Sequence, residues 1–125
     1  MELKDLKFMS KEKRLSFAYL CAVVMNIDNN SSLEEQKIVN SIATILELNL
    51  SDIEDAMKHT FDTVKPILKK MNESEINLLG VCLSLVAKAD GIIDKRERDA
   101  IAGILFSAGL TRFQVFLLMN QLDVN

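Results

Sequence analysis

Lys88-Ala89-Asp90-Gly91-Ile92-Ile93-Asp94-Lys95-Arg96-Glu97 marks the junction of two helices. It ends one apolar helical pattern, turns the chain and starts another. Gly91 suits a left-handed turn that residues with a Cβ enter only at a cost. Asp94 followed three residues later by Glu97 is a capping box, in which each side chain accepts the other's orphan backbone N–H. Upstream, Ile76, Leu79, Leu83 and Val86 form one apolar stripe, and Leu78, Cys82 and Leu85 form a second beside it. A helix apolar over so much of its circumference belongs at the centre of a bundle. Downstream, Ile101, Ile104 and Leu105 carry the next helix, Ala108-Gly109-Leu110-Thr111 closes it, and Thr111 with Gln114 caps a last one bearing Val115, Leu118 and Leu122.

The same order of parts occurs earlier in the chain. Sliding Asp28 onto Asp90 also lays Val24 on Val86, Ser32 on Asp94, Glu35 on Glu97, Val39 on Ile101 and Ile42 on Ile104. After a two-residue slip, Leu50-Ser51 with Glu54 falls on Leu110-Thr111 with Gln114. A very apolar helix over about 11–27 ends at Asp28-Asn29-Asn30-Ser31-Ser32. Ser32 and Glu35 then cap a helix lined by Ile38, Ile42, Ile45 and Leu46, and Ser51 with Glu54 is expected to cap one lined by Ile53, Met57, Phe61 and Val64. Pro66 predicts a kink or restart near Lys65, because it lacks the amide that continues the ladder. Glu2–Met9 is read as a short first helix, and Ser74-Glu75 as the lead into the second central one. The prediction is an all-α, single-domain bundle of about seven helices spanning 1–125, with repeat halves at about 11–64 and 73–122. Neither half can bury its apolar faces alone, so 11–27 and 75–89 should pack together at the centre.

Composition narrows the function classes. With 49% hydrophobic and 26% charged residues, the chain can build a core without staples. It has no Trp and one Tyr, and a net charge of −3, which argues against a nucleic-acid role built on base stacking and phosphate neutralisation. Its one basic cluster, Lys65, Lys69 and Lys70, reads as a solvated helix face. Cys21 and Cys82 sit in the most apolar segments with no CxxC spacing, as buried reduced thiols do. The opening MELKDLKFMSKEKR has no apolar core of signal-peptide length, and the longest apolar run, Phe17–Met25, is too short to span a bilayer. A cytoplasmic location is the expectation.

The acidic bends carry the strongest local chemistry. With Gly91 set at position six of an EF-hand loop, acids fall at positions five, nine and twelve and isoleucine at eight. Positions one and three would be Val86 and Lys88, which offer no anionic oxygen, so the loop is not a complete EF-hand. Asp90, Asp94 and Glu97 could still surround a hard divalent cation, with Asp28 and Glu35 contributing if the bends meet; calcium or magnesium would suit oxygen donors. Beside this stands a structural reading. Asp94 and Glu97 already form a cap, negative charge near a helix start is stabilising, and Gly91 merely turns the chain.

Ala87-Lys88-Ala89-Asp90-Gly91-Ile92-Ile93-Asp94-Lys95-Arg96-Glu97 resembles the TerB-like family of tellurite-resistance-associated domains, which is also similar to the N-terminal region of the DjlA co-chaperones. The shared pattern is a small residue, Ala-Asp-Gly, two mostly apolar positions, Asp, two variable positions and Glu. A weaker first copy runs from Ile27-Asp28 through Leu33-Glu34-Glu35, with Asn29 in the glycine's place and Ser32 in the aspartate's. The resemblance implies a compact bundle of about seven helices with an acidic surface proposed to bind metal or a partner. By position, that surface would be Asp28, Glu35, Asp90, Asp94 and Glu97.

Nucleotide-binding glycine loops, His-Glu-x-x-His and catalytic-cysteine signatures are all absent from the sequence. His59, between Lys58 and Thr60, reads as a helix-edge residue, and Ser84 and Thr60 have no assigned base. The sequence therefore favours a non-enzymatic, stress-associated adaptor whose acidic surface meets a basic protein partner or a cation. The alternatives are a calcium- or magnesium-binding regulatory protein and a structural subunit of a homo-oligomer. No cofactor beyond such an ion is expected.

Overall fold

One side chain sets the start of each helix. The computed structural model describes residues 1–27, 32–91 and 93–124, and all regular structure among them is helical. A 3₁₀ helix, Leu3–Phe8, precedes α1 (Lys11–Met25), which begins where Ser10 Oγ accepts the Lys13 amide at 3.3 Å. The other N-caps are Ser32 for α2 (Leu33–Ile45), Asn49 for α3 (Leu50–Ala56), Thr60 for α4 (Phe61–Lys69), Asn72 for α5 (Glu73–Lys88), Asp94 for α6 (Lys95–Ser107) and Thr111 for α7 (Arg112–Gln121). Each of these six closes a reciprocal capping box with the residue three positions on. Ser10, Ser32 and Asn49 stand 62 residues before Asn72, Asp94 and Thr111, the same separation as between Lys13 and Glu75.

Three of the helices, α2, α6 and α7, also end alike. Glu47, Gly109 and Asp123 take φ of 55°, 101° and 56°, and the next residue's amide reaches back to close a Schellman turn. These bonds are Leu48 to Ala43 at 3.0 Å, Leu110 to Leu105 at 3.3 Å and Val124 to Met119 at 3.1 Å.

The core forms around α1 and α5, which pack on each other more extensively than any other pair of helices. Leu20, Cys21 and Val24 from α1 and Leu79, Cys82, Leu83 and Val86 from α5 are fully buried. The central placement of the two most apolar helices is as the stripes predict. Leu46, Val64, Leu68, Ile101 and Leu105 close the core from α2, α4 and α6. Gly80 lets α7 approach α5: a Cβ there would meet Leu122 Cδ1 at 3.0 Å and Leu118 Cδ2 at 3.4 Å. Lys88 Nζ donates to the Leu122 carbonyl and so caps the far end of α7 with a cation. No helix among the described residues is long and apolar enough to cross a membrane.

Three local expectations are corrected. The cap of α3 is Asn49 with Asp52, not Ser51 with Glu54, so this cap needs no two-residue slip to fall on that of α7. α5 starts at Glu73 behind the Asn72 cap, two residues before the expected start at Glu75. The break expected at Lys65 falls earlier, between Ala56 and Phe61, because Thr60 and Thr63 form a capping box there. Pro66 lies inside α4 without ending it, exposed, so the carbonyl deprived of its amide partner faces the solvated side.

Candidate functional site

The acidic bends are positioned by their caps. Glu35 Oε1 accepts the Ser32 amide at 2.9 Å and Glu97 Oε1 accepts the Asp94 amide at 3.2 Å. A cap of this kind usually lies in solvent, but these two are only 4% and 5% exposed. Their carboxyl groups lie near enough to act on each other: besides burial, the Glu35 charge and side chain both raise the Glu97 pKa. Burial is the largest influence on Glu97 and drives its pKa from 4.5 to about 7; the amide bond from Asp94 opposes it, and the Glu35 carboxylate adds to it.

The remaining predicted ligands are placed differently. Asp94 is half-buried, its Oδ1 accepting the Glu97 amide at 2.9 Å and its Oδ2 lying 3.4 Å from Arg96 Nη2. The Glu97 amide first, and then the Arg96 charge, hold its carboxyl below the usual range. Asp90 is exposed in the turn between α5 and α6, where Gly91 adopts φ of 81° and donates to the Lys88 carbonyl at 2.9 Å. Asp28 lies outside the described residues. Among the described residues, no three His, Cys, Asp or Glu side chains come close enough together to hold a metal ion. The donor set in view is thus the two buried carboxyls of Glu35 and Glu97, with Asp94 at the start of the Glu97 helix.

Other residues singled out in the sequence serve the scaffold. Cys21 and Cys82 are free and buried, and burial pushes both thiols up, Cys82 to about 12 and Cys21 well above its usual value, with Cys82 also raising Cys21. Such thiols supply almost no nucleophilic thiolate. His59 Nδ1 is 3.0 Å from Thr63 Oγ1, and the ring meets Tyr19 edge-on at 6.2 Å. Ser84 Oγ donates to the Val81 carbonyl at 2.8 Å.

Sequence reasoning missed two ion pairs that join the helices. Lys13 Nζ lies 2.9 Å from Glu75 Oε1, and Lys11 Nζ lies 2.9 Å from Asp52 Oδ1. The first carried a legible signal, because its two residues occupy the same cap position in α1 and α5 with opposite charge.

The described residues form an all-α bundle in which two capping glutamates, Glu35 and Glu97, are buried near one another. Compared with known protein families, curated proteins and solved structures, the chain matches none of them.

Proposed function

We propose that this chain is a non-catalytic binding domain of the TerB-like kind, an adaptor that offers its joined acidic bends to a cationic partner. The observation that carries the proposal is the Glu35–Glu97 contact. Two buried carboxyls near one another are costly to ionise together, and an outside cation relieves that cost by taking the place of the proton that Glu97 retains. A fold stabilised only by caps has no need to bring these two side chains together, because Ser32 and Asp94 already satisfy each helix start. Asp94 and Asp90 extend the negative charge outward from the pair, where a lysine or arginine of a basic protein can reach it. The stress-associated role is the one implied by the family resemblance.

The same contact favours a second reading, a regulatory site for calcium or magnesium at the paired bends. Calorimetric titration of chelator-treated protein with each ion, in two buffers of different ionisation enthalpy, tests the two readings together. If an ion displaces the Glu97 proton, close to one proton is released per ion bound at about pH 6 and about half of one at pH 7, and Glu97→Gln abolishes that release. An adaptor face shows no such heat at millimolar ion. It binds a lysine-rich peptide instead, and loses that affinity in Asp90→Asn with Asp94→Asn. Neither ion binding nor peptide binding in the folded protein would remove both readings.

A further inference from the structure

A groove at the opposite end of α6 from the acidic bends has a filled counterpart within the same chain. In the first half, two cations close the seam between α1 and the α2–α3 corner. Arg14 Nη1 donates to the carbonyl of Leu46, the last cap of α2, at 3.1 Å, and its Nε donates to the Met9 carbonyl at 3.2 Å. Lys11 Nζ sits 2.9 Å from Asp52 Oδ1. Moving along by the 62 residues that separate Lys13 from Glu75, Lys11 becomes Glu73, Arg14 becomes Ile76, Leu46 becomes Ala108 and Asp52 becomes Gln114.

All four of those counterparts line one groove of about 490 Å³ between α5 and the α6–α7 corner. Both cations that fill the first seam are missing from the second. What remains is an apolar floor that includes Ile76 and Leu117, the Glu73 carboxylate, and the carbonyl end of α6 at Ala108. The α6 dipole makes that end a favourable place for positive charge. Phe113, one turn before Leu117 on α7, is 68% exposed and continues the apolar surface outward. The volume is within the range of sites that hold a ligand of several side-chain groups.

We propose that this groove docks a segment of a partner protein that presents an arginine beside apolar side chains. The guanidinium takes the place over Ala108 and Glu73 that Arg14 takes over Leu46 in the first seam, and the flanking apolar groups lie along Ile76, Leu117 and Phe113. The commitment to arginine comes from that internal template and from charge complementarity. A planar fork suits a carbonyl and a carboxylate together better than an ammonium does. The site lies about 20 Å from the acidic bends, the length of α6, and so goes beyond the function proposed above.

The test uses the full chain, isotopically labelled, and two capped synthetic peptides, Leu-Arg-Phe-Leu and Leu-Gln-Phe-Leu, followed by amide chemical shifts. The arginine peptide is expected to shift the Gly109, Leu110 and Gln114 amides and to bind at least tenfold tighter than its glutamine twin. A graft of the first seam onto the second, Glu73→Lys with Ile76→Arg and Gln114→Asp, should close the groove. It should abolish binding while holding or raising the melting temperature. Should the graft not fold, Glu73→Gln alone is expected to weaken the arginine peptide severalfold and leave the glutamine peptide unchanged. Equal binding of the two peptides, shifts confined to other surfaces, or no shifts at millimolar peptide would overturn the proposal. So would light scattering showing a dimer that Leu117→Asp dissolves, because the occupant would then be a second copy of this chain.

Discussion

Lys13 and Glu75 occupy the same position, three residues after the cap, in α1 and α5, and their side chains form a 2.9 Å ion pair between the two helices. Glu35 and Glu97 have the same relationship in α2 and α6 and also meet. Each pair joins residues 62 positions apart at equivalent places in their caps.

The Lys13–Glu75 pair has little water around it, with side-chain exposures of 23% and 6%. Glu75 Oε1 also accepts the Asn72 amide at 2.9 Å. Glu75→Gln keeps an oxygen for the cap but strands the Lys13 charge, and is expected to cost roughly 1–3 kcal/mol. Urea unfolding of the variant beside Lys13→Met with Glu75→Gln checks this, because removing both charges should recover part of the loss.

The raised pKa of Glu97 makes stability depend on pH with a definite sign. The folded protein holds this proton to about pH 7, whereas the unfolded chain releases it near 4.5. The native state therefore binds more protons between those values, and stability falls as pH rises through that window. Thermal melts from pH 5 to 8 should show a decline of roughly 1–3 kcal/mol attributable to this group. Glu97→Gln should flatten the profile and leave the protein more stable than wild type at pH 8.

Leu83 and Val24 lie at the centre of the α1–α5 contact and are fully buried. Leu83→Ala should cost about 2–5 kcal/mol and Val24→Ala roughly 1–3 kcal/mol, from lost transfer energy and the cavity left behind. Chemical denaturation with an unchanged m value is the measurement. Near-wild-type midpoints for both would remove the two helices from the core.

Gly80 is the close-approach position of α7. Gly80→Ala places a methyl 3.0 Å from Leu122 Cδ1 and 3.4 Å from Leu118 Cδ2, and should cost about 1–3 kcal/mol despite the better helix propensity of alanine. Hydrogen exchange should report the loss as earlier opening of the Val115–Leu122 amides relative to those of α1.

Most of the fold was legible because helix starts are local events. Ser32 with Glu35, Asp94 with Glu97 and Thr111 with Gln114 read correctly as caps from their spacing alone. At α3 two boxes competed, Asn49 with Asp52 and Ser51 with Glu54. The choice was settled by contacts that spacing does not reveal: Asp52 also reaches Lys11, and the left-handed Glu47 brings the chain round to start at Asn49. Pro66 misled because a missing amide is tolerated on an exposed helix face, whereas Thr60 and Thr63 supply a positive reason to start four residues earlier. At the site, Glu35 and Glu97 were identified as acidic site residues, but not their burial. A capping glutamate reads as solvated, and only the packing of α2 and α6 around the α1–α5 pair carries these two to one another.

The joining of the acidic bends is tested most directly by following the side-chain carboxyl carbons of Glu35 and Glu97 by NMR through a pH titration. The Glu97 resonance should titrate in a step near pH 7, and Glu35→Gln should lower that step while burial still holds it above the ordinary glutamate value. A Glu97 step at the ordinary glutamate value, unmoved by substitution of Glu35, would contradict the pairing of the two buried carboxyls.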